Sequence, residues 1–189
     1  MPSHKSKTSK IRIIAGEWRG RKLPVPSLGG LRPTGDRVRE TLFNWLQHDI
    51  RNAHCLDLFA GTGALGFEAL SRGAKGVQFV ELNKSAANQI NANIALLQAE
   101  GLVANTDALG WLANYSGAKF DIVFIDPPFA QNLWKPAMAA LSESSCLADN
   151  ALVYLEYPHT ANIDIPVSWT RIKEKTAGAV TTYLFQIGN

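Results

Sequence analysis

From residue 54 onward short apolar runs alternate with amphipathic stretches, and this rhythm restricts the fold more than any other feature. Strand-like runs fall at 54–59, 77–81, 102–105, 121–125 and 151–156. Helical stretches lie between them at 63–72, 84–99, 107–114 and 131–143, and in the second Ile90, Ile94 and Leu97 form one apolar stripe. Repeated strand–helix–strand units with nearly continuous apolar strands predict an α/β fold with a parallel sheet covered on both faces. After 156 the rhythm changes. Segments 168–175 and 180–187 read as two strands around a turn at Thr176–Gly178 with no room for a helix, so the last strand should run antiparallel. A length of 189 residues, 46% of them hydrophobic and 19% charged, suits one domain with a sizeable core.

The first third is organised differently. Residues 1–10 are polar and basic and read as a disordered tip. Residues 11–26 suggest a β-hairpin, with Ile11, Ile13, Leu23 and Val25 flanking a turn around Gly16–Gly20. A glycine- and proline-containing loop over 27–35 leads to a helix expected to start with Asp36 as N-cap, its apolar face carrying Val38, Leu42, Trp45 and Leu46. The expected organisation is a tip (1–10), a hairpin-and-helix extension (11–50) and a catalytic domain (51–189). Residues 1–39 carry ten Lys/Arg against two acids, a net +8, while the remainder carries nine against fourteen, a net −5. A basic extension on an acidic body suggests either a polyanion partner at one end or a solvated, partly frayed terminus. No apolar run is long enough to span a bilayer, no signal-peptide pattern is present, and Cys55, Cys146 and four histidines form no metal-ligand spacing. The expected setting is cytoplasmic, without membrane or metal.

Asp57 to Gly66, D-L-F-A-G-T-G-A-L-G, sits where the first strand of the alternating region turns into a helix. Gly61, Gly63 and Gly66 satisfy G-x-G-x-x-G, and Glu81 ends the next strand, placed for a ribose diol. A carboxylate at Asp57, read as standing at the mouth of the loop, would repel a pyrophosphate but favour the ammonium and sulfonium of S-adenosylmethionine (SAM). Asp107 follows the third strand, where it either meets the adenine or merely caps a helix.

Asp126-Pro127-Pro128-Phe129 follows the apolar strand ending at Ile125. Two prolines end a strand and stiffen the loop after it. Methylating an aminated base requires alignment of its nitrogen, acceptors for its N–H groups and a stacking surface. Asp126, the Pro127 carbonyl and Phe129 can supply these, with the prolines holding the geometry. Cys55 reads as core, Trp18 as a cap on the hairpin's small core, and His159 as a loop histidine.

Together the two motifs resemble an amino-group SAM methyltransferase of the Rossmann-like type. The segments R-I-I-A-G-E-W-R-G-R-K-L (12–23) and R-P-T-G-D-R-V-R-E-T-L-F-N-W-L (32–46) tighten this to a resemblance to the bacterial 16S ribosomal RNA guanine-N2 methyltransferase family, the small-subunit ribosomal RNA methyltransferase D family. The resemblance implies a seven-stranded, mostly parallel sheet of order 3-2-1-4-5-7-6. It implies methylation of N2 of guanine 966 (RNA numbering) in 16S rRNA, within a small subunit or an assembly intermediate; the absence of a heptad or exposed apolar stripe suggests a monomer. The candidate cofactor residues are Asp57, Phe59, Gly61, Thr62, Gly63, Glu81, Leu82, Asp107 and Ala108; the candidate catalytic residues are Asp126, Pro127, Pro128 and Phe129. Candidate RNA contacts are Arg19, Arg21, Lys22, Arg32, Thr34, Arg37 and Arg39, and because Arg37 and Arg39 lie two apart on a helix at most one can face the active site.

Other readings are a DNA adenine methyltransferase, a dinucleotide-dependent oxidoreductase, and a non-catalytic RNA-binding module on the same fold. The first lacks length for a target-recognition region; Asp57 and the D-P-P-F tetrad speak against the second, and an intact tetrad against the third.

Overall fold

The computed structural model describes residues 9–26, 35–128, 131–159 and 164–188. A two-stranded antiparallel hairpin, β1 (Ser9–Arg12) and β2 (Lys22–Val25), precedes α1 (Asp36–Trp45). There follow β3 (His54–Asp57), α2 (Ala64–Ser71), β4 (Gly76–Val80), α3 (Lys84–Leu97), β5 (Gly101–Ala104), α4 (Ala108–Asn114) and β6 (Phe120–Ile125). The chain continues with α5 (Trp134–Glu143), β7 (Leu147–Pro158), β8 (Trp169–Ala177) and β9 (Val180–Ile187). The last seven strands form one sheet of order β5-β4-β3-β6-β7-β9-β8. This is the expected 3-2-1-4-5-7-6 order. Strands β3 to β7 run parallel, and β9 lies antiparallel between β7 and β8.

Alternation along each strand divides the core. Cys55, Phe124, Leu152 and Tyr154 face a cluster shared with the hairpin and α1, α2 and α3; Leu56, Val123, Val153 and Leu155 face a second cluster with α4 and α5. From β3 the chain winds first toward β4 and β5, then returns to the far side through β6. That reversal opens a crevice between β3 and β6 at the C-terminal ends of the strands, where ligands of such sheets bind. Among the described residues no helix is long and apolar enough to cross a membrane, and no group of three or more His, Cys, Asp or Glu is placed to hold a metal ion.

The hairpin packs into this core. Ile11, Ile13, Trp18, Leu23 and Val25 are buried in the first cluster, so Trp18 caps the hairpin core as expected. Ser9 and Lys10 belong to β1, which corrects the expected disordered tip at those two positions; residues 1–8 lie outside the described residues. The turn is bolted to α2: the Ile14 and Ala15 amides donate to Glu68, and the Glu17 and Trp18 amides donate to Ser71. Gly16 lies at φ +85°, and a Cβ there would sit 1.8 Å from the Ser71 carbonyl oxygen, so only glycine permits this approach.

Helix α1 departs from expectation in two ways. Gly35 occupies the N-cap, and Asp36, in the first turn, turns its carboxylate to Arg12 and Arg39 at 2.7 Å each. The buried stripe is Arg39, Leu42, Phe43 and Leu46, while Val38 and Trp45 are half-buried. The helix is rotated to place Phe43 against Phe124 and leave room for the Arg39 guanidinium.

Candidate active site

The glycine loop joins β3 to α2, and its local chemistry is set from beneath. Asp57 is 2% exposed and lies under the loop, not at its mouth; its Oδ2 accepts the Gly66 amide at 3.0 Å. Burial pushes this carboxyl up to about 7, against the opposing Gly66 N–H and with a further push from the Glu81 charge. The amide it occupies is one of those at the start of α2 that would otherwise face a phosphate. Gly66 serves a different purpose: a Cβ there would lie 2.1 Å from the Phe79 ring, so its absence lets α2 pack directly on β4.

Glu81, at the end of β4, spans two loops. One carboxylate oxygen accepts the Gly61 amide and the other the Asn83 amide, both at 2.6 Å. Burial raises its pKa, while those two amides oppose the rise. Asn105 tightens the same rim by donating to the carbonyls of Glu81 and Leu82 at 2.8 and 2.9 Å. Leu82 itself is 66% exposed beside this rim, a free apolar face of the kind that packs on an adenine ring. Asp107 is exposed and caps α4, its Oδ2 accepting the Gly110 amide at 2.8 Å. Thr62, Gly63 and Ala108 are buried, and Phe59 is half-buried against the second cluster. All these residues collect along one edge of the sheet.

The tetrad begins on the neighbouring strand. The Leu58 amide donates to the Phe124 carbonyl at 3.1 Å, so the glycine loop and Asp126 leave adjacent strands side by side across the crevice. Asp126 is half-buried, Pro127 buried and Pro128 exposed; Phe129 lies outside the described residues. One strand further, Glu156 is 8% exposed. Its Oε2 accepts the Tyr154 hydroxyl at 2.9 Å, and Trp134 Nε1 donates to its backbone carbonyl at 2.7 Å. Burial raises the Glu156 pKa and the Tyr154 hydroxyl opposes the rise.

The candidate RNA contacts divide sharply. Arg19, Arg21, Lys22 and Arg37 are exposed, while Arg32 and Thr34 lie outside the described residues. Arg39 does not face solvent. It is 2% exposed, donating to Asp36 at 2.7 Å and to the Arg12 carbonyl at 2.9 Å, with Glu68 at 3.6 Å. Its expected RNA contact is corrected to a core ion pair, because the fully buried Glu68 supplies a carboxylate that no local pattern announces. A groove of about 530 Å³ lined by Lys10, Arg12, Lys22 and Gly35 runs between hairpin and α1. Another hollow, about 310 Å³, lies around Asn52, Ala53 and Asp121 at the N-terminal ends of β3 and β6, at the opposite end of these strands from Asp57 and Asp126.

Glu68, Asn105 and Glu156 were not legible in the sequence. Each gains its meaning from a partner on another element. Glu68 also pairs with Arg72 at 2.8 Å, the one i,i+4 relation a helical reading could have found.

A family model described as "Conserved hypothetical protein 95" matches residues 11–186. The ribosomal RNA small subunit methyltransferase D of Haemophilus influenzae is 50% identical over 181 residues, covering 94% of each chain. That of Escherichia coli K12 is 48% identical over 187 residues, covering 98% of this chain and 93% of the relative. The solved structure of the Escherichia coli yhhF protein superposes with a TM-score of 0.88 at 44% identity, covering 95% of this chain and 99% of that one. With sequence, fold and both motifs in agreement over nearly the whole length, the chain belongs to the ribosomal RNA small subunit methyltransferase D family.

Proposed function

We propose that this chain transfers the methyl group of SAM to the exocyclic N2 of guanine 966 in 16S rRNA. The observation that carries this reading is the juxtaposition of the glycine loop and Glu81 with Asp126-Pro127-Pro128 across the β3–β6 crevice. The residues present fit SAM. Glu81 stands where a ribose diol would meet it, Leu82 offers an apolar face, and the buried Asp57 supplies negative charge beneath the loop. They fit a dinucleotide poorly, since Asp57 already holds the Gly66 amide. Bound here, SAM supplies an electrophilic methyl: the N2 lone pair bonds to its carbon, the carbon–sulfur pair goes to sulfur, and N2 releases one proton.

The chain's own residues orient the base and receive that proton. Asp126 and the Pro127 carbonyl accept from the amino group, which keeps electron density on nitrogen as the new bond forms. Phe129 provides the stacking face. The amine acidifies as it is alkylated, so Asp126 or solvent suffices as acceptor. Arg19, Arg21, Lys22 and Arg37 hold phosphates and give affinity without base choice, and Arg32 and Thr34 are further RNA contacts of this reading. The enzyme works as a monomer in the cytoplasm, on a small subunit or an assembly intermediate.

The test is transfer from methyl-labelled SAM to small subunits lacking their own guanine-N2 methylation, with the modified nucleotide mapped. Label on that single 16S guanine is the expected result. Label on another RNA would discard the target, and absence of label with SAM bound would overturn the reading in favour of a binding module.

A further inference from the structure

Glu156 has no part in the chemistry above, yet its placement is unusual. It lies near the end of the buried stretch of β7, followed by the buried Tyr157, and β7 pairs in parallel with β6 through Ile125 and Leu155. One residue beyond that last registered pair stand Asp126 and Glu156, on adjacent strands at the same edge. Both face the side of the sheet that carries Phe124 and Tyr154, because Ile125 and Leu155 face the other. The Tyr154 hydroxyl donates to Glu156 at 2.9 Å, and the charges of both carboxylates add to the burial that raises its pKa.

The hydrogen bonding of Glu156 is half complete. Oε2 takes the Tyr154 hydroxyl, while Oε1 has no donor among the described residues. Nor does a cation of the described residues meet it. Across the sheet its register neighbours are Thr182 on β9 and then Lys175 on β8, but Lys175 Nζ turns to Thr41 Oγ1 at 3.0 Å. This oxygen is not sealed in the core: among the described residues the buried side-chain polar atom without a partner is Trp169 Nε1, so Oε1 keeps the residual accessibility of Glu156 and can be reached by a donor on a ligand. Tyr154 and the Trp134 bond to the Glu156 carbonyl hold that oxygen in place.

We infer that Glu156 selects guanine by accepting its N1–H, alongside the acceptor that Asp126 offers to the N2 amino group. The inference rests on the guanine-N2 reading of the site and adds its base specificity. The Watson–Crick edge of guanine presents N1–H and N2–H donors side by side, which two neighbouring carboxylates match. Adenine and 2-aminopurine present a lone pair at N1, which a carboxylate repels. Tyr154 acts as a positioning residue for the Glu156 carboxyl.

The experiment uses small subunits reconstituted with 16S rRNA carrying either guanosine or 2-aminopurine riboside at the target. Both bases have the reacting N2 amine, and they differ at N1 and O6. Wild-type enzyme is expected to favour guanine in kcat/KM by about 100-fold or more, the scale set by a buried polar group left facing a mismatched partner. Glu156→Gln presents an amide N–H able to donate to a bare N1, so it should lose activity on guanine and cut that preference at least tenfold. Tyr154→Phe should lower kcat/KM on guanine while keeping the preference. Equal wild-type use of the two bases would overturn the inference without any variant. So would an unchanged preference in a folded, SAM-binding Glu156→Gln enzyme. Wild-type transfer to the guanine substrate tests the underlying function separately.

Discussion

Replacing Glu68 by alanine should loosen the hairpin from the body of the enzyme, and the structure sets the scale. The side chain is fully buried on α2. It accepts the Ile14 amide at 2.8 Å and the Ala15 amide at 3.0 Å, and pairs with Arg72 at 2.8 Å and Arg39 at 3.6 Å. Truncation leaves two amides without acceptors, each costing about 1–3 kcal/mol when water cannot reach them. It also removes the carboxylate that faces Arg39 from α2, and removing one partner of a buried ion pair costs about 3–5 kcal/mol. These effects share atoms and do not add, so a total of about 4 kcal/mol is expected. With a urea dependence of about 2 kcal/mol per molar, the denaturation midpoint should fall by about 2 M. Arg39→Met, which removes the cation but keeps apolar volume, should cost less and should make the Glu68 change partly non-additive in a double-mutant cycle. A Glu68→Ala midpoint within about 0.5 M of wild type, at unchanged slope, would refute the reasoning and return Arg39 to the RNA-contact surface.

Asp126→Ala should lower kcat for methyl transfer by about a thousandfold while SAM affinity stays within a few-fold, measured by single-turnover transfer and equilibrium binding; equal activity would remove Asp126 from the mechanism. Neutralising Arg19, Arg21 and Lys22 together should weaken small-subunit binding and flatten the log–log salt slope by about 0.7–0.9 per lost phosphate contact; an unchanged slope would place the RNA elsewhere. Asp57 titrates near 7 in the unliganded fold, raised from 3.8, so the folded state holds its proton more tightly than the unfolded chain. Its contribution to stability is therefore fullest below about pH 4 and is lost as pH rises through 7. A cationic ligand favours the ionised form, so SAM affinity should rise between pH 6 and 8 with proton release seen calorimetrically, and Asp57→Asn should abolish that dependence. Gly66→Ala should lower the melting temperature and SAM affinity together, because its Cβ would lie 2.1 Å from the Phe79 ring; wild-type values for both would show that α2 tolerates the shift.

The sequence by itself determined the local order of this protein. Apolar periodicity marked the five parallel strands and their helices, because burial on both sheet faces demands continuous apolar runs. The glycine loop and the Asp126-Pro127-Pro128 strand end were legible for the same reason: a tight turn and a proline stop are local chemistry. The exchange of β9 and β8 in the sheet came from the family resemblance, since no periodicity states which strand a hairpin lays against β7. Tertiary structure alone decided what the charged side chains do. Arg39 looked like its exposed neighbour Arg37 until α1 turned it toward Glu68; Asp57 looked like a pocket acid until α2 closed over it and gave it the Gly66 amide. Glu156 had no visible role until β7 set it beside the end of β6. A charge's meaning depends on its burial and on partners dozens of residues away, and only the packed chain brings those together.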